Sequence, residues 1–388
     1  MVDLKRKKIA VGCQGGGMHA AFEIGVLTEI LKDCEQQKFD LVGLSGTSAG
    51  ALCALMAWYG LAPKKGQPGS ERAAIDKLVN FWNHFVAETP SETLLNLFTF
   101  GALKVEEMEI PVLGINAPIF GINPAGAIYK AFATALPRLG VRTQYFDLED
   151  TLAKDCPEFH AIDWPKLKTR LLIGASEVVN GLETVFDSDV NKGAQQINRG
   201  MQDGSLDYWH QQLPLTLNGI VASGTLPAFS EAERIDGCYY WDGLYSQNPP
   251  VREFFAGVDT EEVPDELWIV RINPQQWPEA PASNAEVIDR ENELMGNLSL
   301  HKELDFILAV NKWRKSHGGK FADDYKHVTV RTMKMKKETA DGLRYSSKFN
   351  RSREFMDQLH NEGREVARAW LNRWPDGVGS YPDDAAYP

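Results

Sequence analysis

A short apolar run that breaks into a serine-centred turn constrains the fold of this chain more than any other feature. Residues 41–44 read Leu-Val-Gly-Leu, residues 46–50 read Gly-Thr-Ser-Ala-Gly, and an apolar helical pattern follows over residues 51–59. This order predicts a buried strand, a sharp turn and a helix, with Ser48 held at the turn. Small residues allow the backbone to reverse tightly there. At the helix N-terminus, unpaired N–H groups favour negative charge near Ser48.

A glycine-rich segment precedes this turn and also lies between a predicted strand and a predicted helix. Residues 9–12 are mostly apolar, Gly15, Gly16 and Gly17 follow, and apolar residues then recur at helical spacing. Glycine leaves backbone N–H groups uncovered, which suits a phosphate or an oxyanion. A dinucleotide-binding loop is the alternative, but the full Gly-x-Gly-x-x-Gly pattern and the later ribose-binding acid are both missing. A plain tight turn without a ligand is a second alternative.

An aspartate follows another predicted strand far along the chain. Asp236-Gly237 separates short runs that can pair, so we predict a hairpin turn there. Asp242-Gly243 instead precedes an irregular segment that contains Asn-Pro-Pro at residues 248–250. This context favours a functional loop that carries the Asp242 carboxylate just beyond a sheet.

The three segments, taken in order, resemble the motifs of the patatin-like phospholipases, especially the soluble bacterial type. That family has a glycine-rich oxyanion loop, a Gly-x-Ser-x-Gly nucleophile turn and an Asp-Gly-Gly or Asp-Gly-Ala loop. Residues 15–20, 46–50 and 242–244 correspond to these motifs in this chain. The resemblance includes residues 222–227 and covers most of residues 8–374.

The resemblance implies an α/β fold with three α/β/α layers, a mainly parallel central sheet and additional C-terminal helices. Residues 8–275 would form the catalytic domain, and residues 276–374 a helical region packed on the same domain. Residues 375–388 are polar and acidic, so we expect a flexible tail. Residues 92–139 are apolar but broken by Gly and Pro, and we interpret them either as a lid or interfacial insertion or as core helices over the site.

Periodicity and turn residues predict the remaining elements. Asn180-Gly181 indicates a second hairpin turn. Residues 170–174 and 267–271 are predicted as buried strands, residues 189–215 as helical or irregular, and residues 283–314 and 351–374 as helices.

The resemblance also implies a two-residue mechanism. Ser48 would attack an ester carbonyl and form an acyl-enzyme, and Asp242 would act as the general base for this attack and for the later hydrolysis by water. The amides of Gly15, Gly16 and Gly17 would hold the oxyanion, so neither a metal nor another cofactor is expected. The substrate would be a phospholipid or another acyl ester. A free Asp has a pKa near 3.9, so burial should be needed to raise the pKa of Asp242.

Two positions depart from the family pattern. The family usually carries Arg or Lys followed by Gly where this chain has His19 and Ala20, and Leu244 replaces a small residue and would narrow the entrance. We predict that Met18, His19 and Leu244 contact the substrate. A structural role for His19 against a neighbouring loop is the alternative.

Other functions are compatible with the same motifs. An α/β-hydrolase with a Ser–acid–His triad would need a late histidine, yet none lies in an obvious catalytic loop, and Ser48 comes after only two predicted strands. The candidates for that histidine are His301, His317, His327 and His360. An acyltransferase would intercept the same acyl-enzyme with an alcohol or thiol. A non-catalytic lipid-binding protein would keep the fold, although the intact Ser48 and Asp242 argue against it.

Composition narrows the partners and the compartment. The chain has 388 residues, 43% of them hydrophobic, and a formal net charge of −12. This acidic balance argues against nucleic-acid binding and gives no general attraction to anionic membranes, although transient contact with a membrane surface fits a lipid substrate. Five scattered cysteines without a Cys-x-x-Cys pair are typical of a reduced protein. Because neither a signal peptide nor an apolar run of roughly 18 residues is present, we predict a cytoplasmic protein, with peripheral membrane contact left open.

Overall fold

A mixed sheet of ten strands lies at the centre of the residues that this computed structural model describes, which are 6–107, 140–193, 197–198, 210–227, 230–277, 279–281 and 284–382. The strands are β1 (Lys8–Cys13), β2 (Asp40–Gly46), β3 (Arg170–Glu177), β4 (Leu182–Asp187), β5 (Ile197–Asn198), β6 (His210–Pro214), β7 (Glu233–Ile235), β8 (Cys238–Asp242), β9 (Glu266–Arg271) and β10 (Thr329–Lys334). Their spatial order is β10-β9-β1-β2-β3-β4-β6-β5, and the β7–β8 hairpin joins the sheet where β8 pairs with β3.

The part of the sheet that carries the glycine loop and the serine turn is parallel. β10, β9, β1, β2 and β3 run in the same direction, and β1 lies next to β2. The glycine loop after β1 and the serine turn after β2 therefore lie side by side at the carboxyl edge of the sheet. β8 runs antiparallel to β3 and places Asp242 opposite Ala175, just beyond the end of β2. The topology brings the three motifs to one edge.

Helices cover the sheet on both sides. In the described chain they are α1 (Ala21–Glu35), α2 (Ala49–Leu61), α3 (Glu71–Asn83), α4 (Pro90–Glu107), α5 (Thr143–Phe146), α6 (Leu148–Asp155), α7 (Ser188–Asn191), α8 (Leu217–Ser223), α9 (Asn284–His317), α10 (Gly319–Asp324), α11 (Lys337–Gly342) and α12 (Arg353–Leu371). Short 3-10 turns include Gly17–Ala20, Gly243–Tyr245 and Ser346–Phe349. The two long C-terminal helices, α9 and α12, correspond to the predicted ones.

Alternate residues of the central strands supply two separate cores. Val11 and Cys13 of β1 pack in a core with α1, α2 and α12, whereas Ala10 packs in a second core with Leu300 and Leu304 of α9. Successive side chains of a strand point to opposite faces, so an apolar strand such as β1 needs a helical layer on each side. The predicted three-layer fold with a mainly parallel sheet is confirmed.

Both predicted hairpins are present, and one region differs from its prediction. Asn180-Gly181 joins β3 to β4, and Asp236-Gly237, with φ of 49° and 86°, joins β7 to β8. Residues 189–215, predicted as helical or irregular, contain the strand β6, which pairs with β4. Its sequence His-Gln-Gln-Leu-Pro lacks the apolar alternation of a typical strand. Pairing with β4, rather than local pattern, places it in the sheet.

The last described residues lie against the sheet edge. Tyr381 N donates to the Val330 carbonyl at 2.8 Å, and Arg331 Nη1 donates to the Gly379 carbonyl at 3.0 Å. Residues 375–382, predicted as part of a flexible tail, are therefore anchored on β10, and residues 383–388 lie outside the described residues.

Only the first part of the predicted lid or interfacial insertion at residues 92–139 is described, as α4, because residues 108–139 lie outside the described residues. None of the helices that the structure describes combines the length and the apolar character needed to cross a bilayer.

Candidate active site

Ser48 lies at the turn between β2 and α2. It is half-buried, directly precedes the first residue of α2, and has φ 56° and ψ −128°. A positive φ is unusual for a residue with a β-carbon and persists where the surrounding structure fixes a strained turn. Ser48 N donates to Ser223 Oγ at 3.0 Å, and Ser223 Oγ donates to the Gly174 carbonyl at 2.6 Å. Ser223 thus ties the serine turn to β3.

Close packing behind the turn explains the small residues around Ser48. A β-carbon at Gly50 would lie 2.4 Å from the Cys13 carbonyl oxygen, and one at Gly15 would lie 2.7 Å from the Ser48 β-carbon. Neither position accepts a larger residue without a backbone shift. The two glycines therefore allow the loop after β1 to lie directly against Ser48.

Asp242 is the last residue of β8 and is fully buried. Its backbone N–H donates to the Thr225 carbonyl at 2.9 Å, and its Oδ1 accepts from Leu244 N at 2.8 Å. Its Oδ2 accepts no hydrogen bond of ordinary geometry from the described residues. The Ser48 hydroxyl is nevertheless close enough to lower the pKa of this carboxyl. The hydroxyl and the carboxyl are therefore neighbours, and one carboxyl oxygen has no fixed partner.

Burial dominates the protonation of Asp242. Removal from water raises the pKa of this carboxyl from 3.8 to about 7, against the opposing effects of the Leu244 amide and the Ser48 hydroxyl. A carboxyl with a pKa near neutrality accepts a proton far more readily than a solvated Asp. The site therefore holds a hydroxyl beside a group that is suited to take its proton.

The three glycines of the loop after β1 differ in what their amides contact. Gly15 N donates to Asn248 Oδ1 at 2.6 Å, so this N–H is already satisfied. The N–H groups of Gly16 and Gly17 donate to no acceptor in the described part of the chain. Of the three amides predicted to hold the oxyanion, that of Gly15 is thus already bonded, and those of Gly16 and Gly17 are the free ones in the described chain. The oxyanion hole itself stays a prediction.

More than half of the chain matches a single family model. The model of the patatin-like phospholipases covers residues 13–255, which include Ser48, Asp242 and the glycine loop. The chain belongs to the patatin-like phospholipase family. Among solved structures, VipD from Legionella pneumophila is 12% identical, with 95% of this chain and 67% of that chain covered and a TM-score of 0.39. No curated protein matches the chain in sequence.

His19, which stands where other patatin-like proteins usually carry Arg or Lys, is buried against the turn Ser346–Phe349. Its Nε2 lies 2.7 Å from Ser347 Oγ. Burial, together with the nearby positive charge of Lys348, lowers the pKa of His19 well below its usual value. The imidazole is therefore neutral and held by a neighbouring loop, which favours the structural alternative over direct contact with a substrate.

Met18 and Leu244 lie next to the patatin-like motifs, and their contact with substrate stays a prediction. Met18 is buried in the core within the turn Gly17–Ala20. Leu244 is partly buried, and its Cδ1 would lie 3.1 Å from a β-carbon at Gly296 of α9. The backbone N–H of Leu244 also holds Asp242 Oδ1, so this residue has a structural role independent of its side chain.

The sequence did not predict the roles of two residues that hold the site together, Ser223 and Asn248. Ser223 and Asn248 lie in segments that the sequence singled out, but the local patterns do not state which backbone atoms their side chains reach. A third long-range bond joins Thr47 Oγ1 to the Gln247 carbonyl at 2.6 Å. The serine turn and the aspartate loop are therefore linked directly, which no short motif predicts.

Two of the four late histidines of the triad alternative, His301 and His317, contact other groups. His301 Nε2 lies 3.1 Å from Arg271 Nη2, and His317 Nδ1 lies 3.0 Å from the Trp313 carbonyl. Among the hydrogen bonds of the described residues, none joins a late histidine to Ser48 or Asp242. In the same part of the chain, no group of three or more His, Cys, Asp or Glu side chains is placed to hold a metal ion. The titratable group that the structure places beside the Ser48 hydroxyl is the Asp242 carboxyl.

Proposed function

We propose that this patatin-like protein is a serine-dependent lipid acyl hydrolase of the phospholipase A or lysophospholipase type. One observation carries the proposal: beside the strained Ser48 lies a buried carboxyl, Asp242, with a pKa of about 7 and an unpartnered oxygen. Membership of the family supports a lipid acyl hydrolase in general. The environment of Asp242 supports a Ser–Asp dyad in particular.

In the proposed first step, Asp242 accepts the hydroxyl proton of Ser48 while Ser48 Oγ forms a bond to the ester carbonyl carbon. The carbonyl electron pair moves to its oxygen and produces a tetrahedral oxyanion. When this intermediate collapses, the bond to the leaving alcohol breaks and Asp242 returns the proton to that alcohol. An acyl ester of Ser48 remains.

In the proposed second step, water attacks the acyl ester while Asp242 takes a proton from it, and the fatty acid leaves as Ser48 regains its hydrogen. The N–H groups of Gly16 and Gly17 and the N-terminus of α2 would stabilise the oxyanion in both steps. A single such donor contributes about 3 kcal/mol to the transition state in known enzymes. No step in this scheme uses a metal or another cofactor.

The exposed face of α4 fits a lipid substrate. Leu94, Leu97 and Phe98 on this helix are 68%, 64% and 74% exposed. α4 also packs near the turn Ser346–Phe349, which contacts the glycine loop through His19. Because large apolar side chains exposed together mark contact surfaces, we propose that this face of α4 meets acyl chains or a membrane surface.

Hydrolysis of short- and long-chain acyl esters by wild type, Ser48→Ala and Asp242→Asn tests the proposal. We expect both variants to lose activity by at least about a thousandfold, because each removes a group that takes part in bond formation or proton transfer. Ser316→Ala and Asp341→Asn are matched controls at exposed positions on α9 and α11, and they should keep full activity.

Each outcome of this assay has a defined meaning. Activity that survives in Ser48→Ala would rule out the proposed nucleophile. A wild type that binds lipid vesicles but cleaves no acyl ester would favour a non-catalytic lipid-binding protein. Product analysis with added lysolipid separates hydrolysis from acyl transfer, since transfer consumes the lysolipid and releases less fatty acid.

A further inference from the structure

Two buried asparagines hold the peptide groups on either side of Gly15. Gly15 N donates to Asn248 Oδ1 at 2.6 Å, and Asn273 Nδ2 donates to the Gly15 carbonyl oxygen at 2.8 Å. Asn248 Nδ2 also approaches that oxygen, at 3.5 Å. Asn248 is fully buried and Asn273 is 5% exposed. Both backbone polar groups of Gly15 are therefore fixed by side chains from distant parts of the chain.

A bond to the Gly15 carbonyl also determines where the Gly16 N–H points. The peptide unit between Gly15 and Gly16 is planar and trans, so its C=O and N–H point in opposite directions. Because Asn273 holds the carbonyl on one side, the Gly16 N–H is directed to the other side, where it meets no acceptor in the described chain. The α-carbon of Gly15, next to this N–H, lies against Ser48.

The segment that carries Asn273 is itself locked to the glycine loop. Gln14 Oε1 accepts from the backbone N–H groups of Ile272 and Asn273 at 3.2 and 3.3 Å, and Gln14 Nε2 donates to Asn297 Oδ1 at 3.0 Å. Asn297 Nδ2 in turn donates to the Pro274 carbonyl at 3.2 Å. Gln14 and Asn297 are buried as well. Such a network of satisfied hydrogen bonds keeps its members in one geometry.

We propose that Asn273 is a positioning residue of the catalytic site, whose side-chain N–H2 aims the Gly16 amide at the oxyanion. This inference rests on the proposed function, because it concerns the oxyanion that forms when Ser48 attacks an ester. Oxyanion donors act only when they are held in place before the reaction. Loss of the bond to the Gly15 carbonyl lets the peptide between Gly15 and Gly16 rotate. The Gly16 N–H then no longer points at the oxyanion, whereas the residues that bind the substrate are unchanged.

The isosteric variant Asn273→Asp tests this role, since it replaces the N–H2 donor by an oxygen. At pH 8 the carboxylate of the variant repels the Gly15 carbonyl, and we expect kcat to fall by about a hundredfold, the effect of one oxyanion donor. KM should change less than about threefold, because binding of the ground state does not use the oxyanion hole. As the pH is lowered, the introduced carboxyl becomes protonated and can donate again, so the ratio of variant kcat to wild-type kcat should rise.

Two further variants separate orientation from charge and from folding. Asn248→Asp also introduces a carboxyl beside Gly15, but it keeps an oxygen that accepts from Gly15 N–H, so its loss of kcat should be at least about tenfold smaller. Asn273→Ala removes the donor without adding charge. It should show the same selective loss of kcat, without recovery at low pH, and urea unfolding checks that it is folded.

The results distinguish failure of the inference from failure of the proposed function. Ester hydrolysis that persists in Ser48→Ala would overturn both. Hydrolysis that requires Ser48 but is unchanged in Asn273→Asp and Asn273→Ala would overturn only the role of Asn273. Equal losses of kcat in Asn273→Asp and Asn248→Asp, or a loss shared equally between kcat and KM, would also overturn it.

Discussion

Replacement of Asp242 by Asn should abolish activity and at the same time stabilise the fold at neutral pH. Asn retains an oxygen that accepts from Leu244 N and changes only Oδ2, which has no partner of ordinary geometry in the described chain. Burial raises the pKa of Asp242 in the folded protein from 3.8 to about 7. The unfolded chain therefore releases this proton above about pH 4, whereas the folded protein retains it up to about pH 7. Wild-type stability consequently falls as the pH rises through this interval.

The size of the effect follows from the same two pKa values. Each tenfold difference in proton affinity corresponds to about 1.4 kcal/mol. The interval from 3.8 to about 7 therefore amounts to about 4 kcal/mol of unfolding free energy that wild type loses and Asp242→Asn keeps. The buried N–H2 of the variant costs about 1–3 kcal/mol if it stays unpaired. The cost of burying the N–H2 group does not depend on pH. The quantity to measure is therefore how the difference in unfolding free energy between Asp242→Asn and wild type changes with pH.

Urea unfolding of both proteins at a series of pH values between about 4.5 and 8.5 gives the two free energies by linear extrapolation. Ser48→Ala is the matched control, since it is expected to be inactive but keeps the Asp242 carboxyl, and its stability should follow the pH dependence of wild type. A difference between Asp242→Asn and wild type that stays constant across this range would refute the raised pKa. We expect the stability advantage of Asp242→Asn over wild type to increase as the pH rises. An advantage that increases as the pH falls would contradict the predicted direction.

Three further predictions concern activity and lipid contact. The kcat/KM for ester hydrolysis should rise with pH through about 7, because Asp242 must be deprotonated to accept a proton; a profile without an ionisation near neutrality would contradict this. Gly15→Ala should lower kcat by at least about a hundredfold, since its β-carbon would lie 2.7 Å from that of Ser48, whereas Gly101→Ala on α4, with no atom within 4 Å, should keep full activity. Phe98→Ser should weaken binding to lipid vesicles by about tenfold or more without loss of short-chain ester hydrolysis, and Val179→Ser, which alters a side chain that is 71% exposed on the β3–β4 turn, should leave vesicle binding unchanged.

The features that were predicted well from the sequence depend on residues that are adjacent in the chain. The order strand, turn and helix around Ser48 follows from adjacent apolar runs and small residues, and the hairpin at Asp236-Gly237 follows from residues that accept a positive φ. The three-layer fold was instead predicted from the resemblance of the three motifs to the patatin-like phospholipases. It agrees with the rule that a sheet with two apolar faces needs helices on both sides.

The features that sequence missed depend on residues far apart in the chain. The sequence does not distinguish the amide of Gly15 from those of Gly16 and Gly17. In the structure the Gly15 N–H donates to the side chain of Asn248. β6 carries polar residues, so it is its pairing with β4 and β5 that identifies it as a strand. The tail from residue 375 is polar and acidic, yet Tyr381 is buried against β10. In each case a tertiary contact overrides a local pattern, and no periodicity within the segment reveals that contact.

The position of β1 in the middle of the sheet has a consequence for how this protein becomes active during synthesis. β1 needs β9 on its second side, and the loop that follows it needs Asn273. Ser48 and Asp242 are synthesised before either of them, so a nascent chain that already contains the proposed nucleophile and base would still lack the proposed oxyanion donor in its aligned position. A fragment that ends at residue 255, where the family match ends, would share this defect. In the proposed mechanism, ester hydrolysis would therefore require the part of the chain that carries β9 and Asn273.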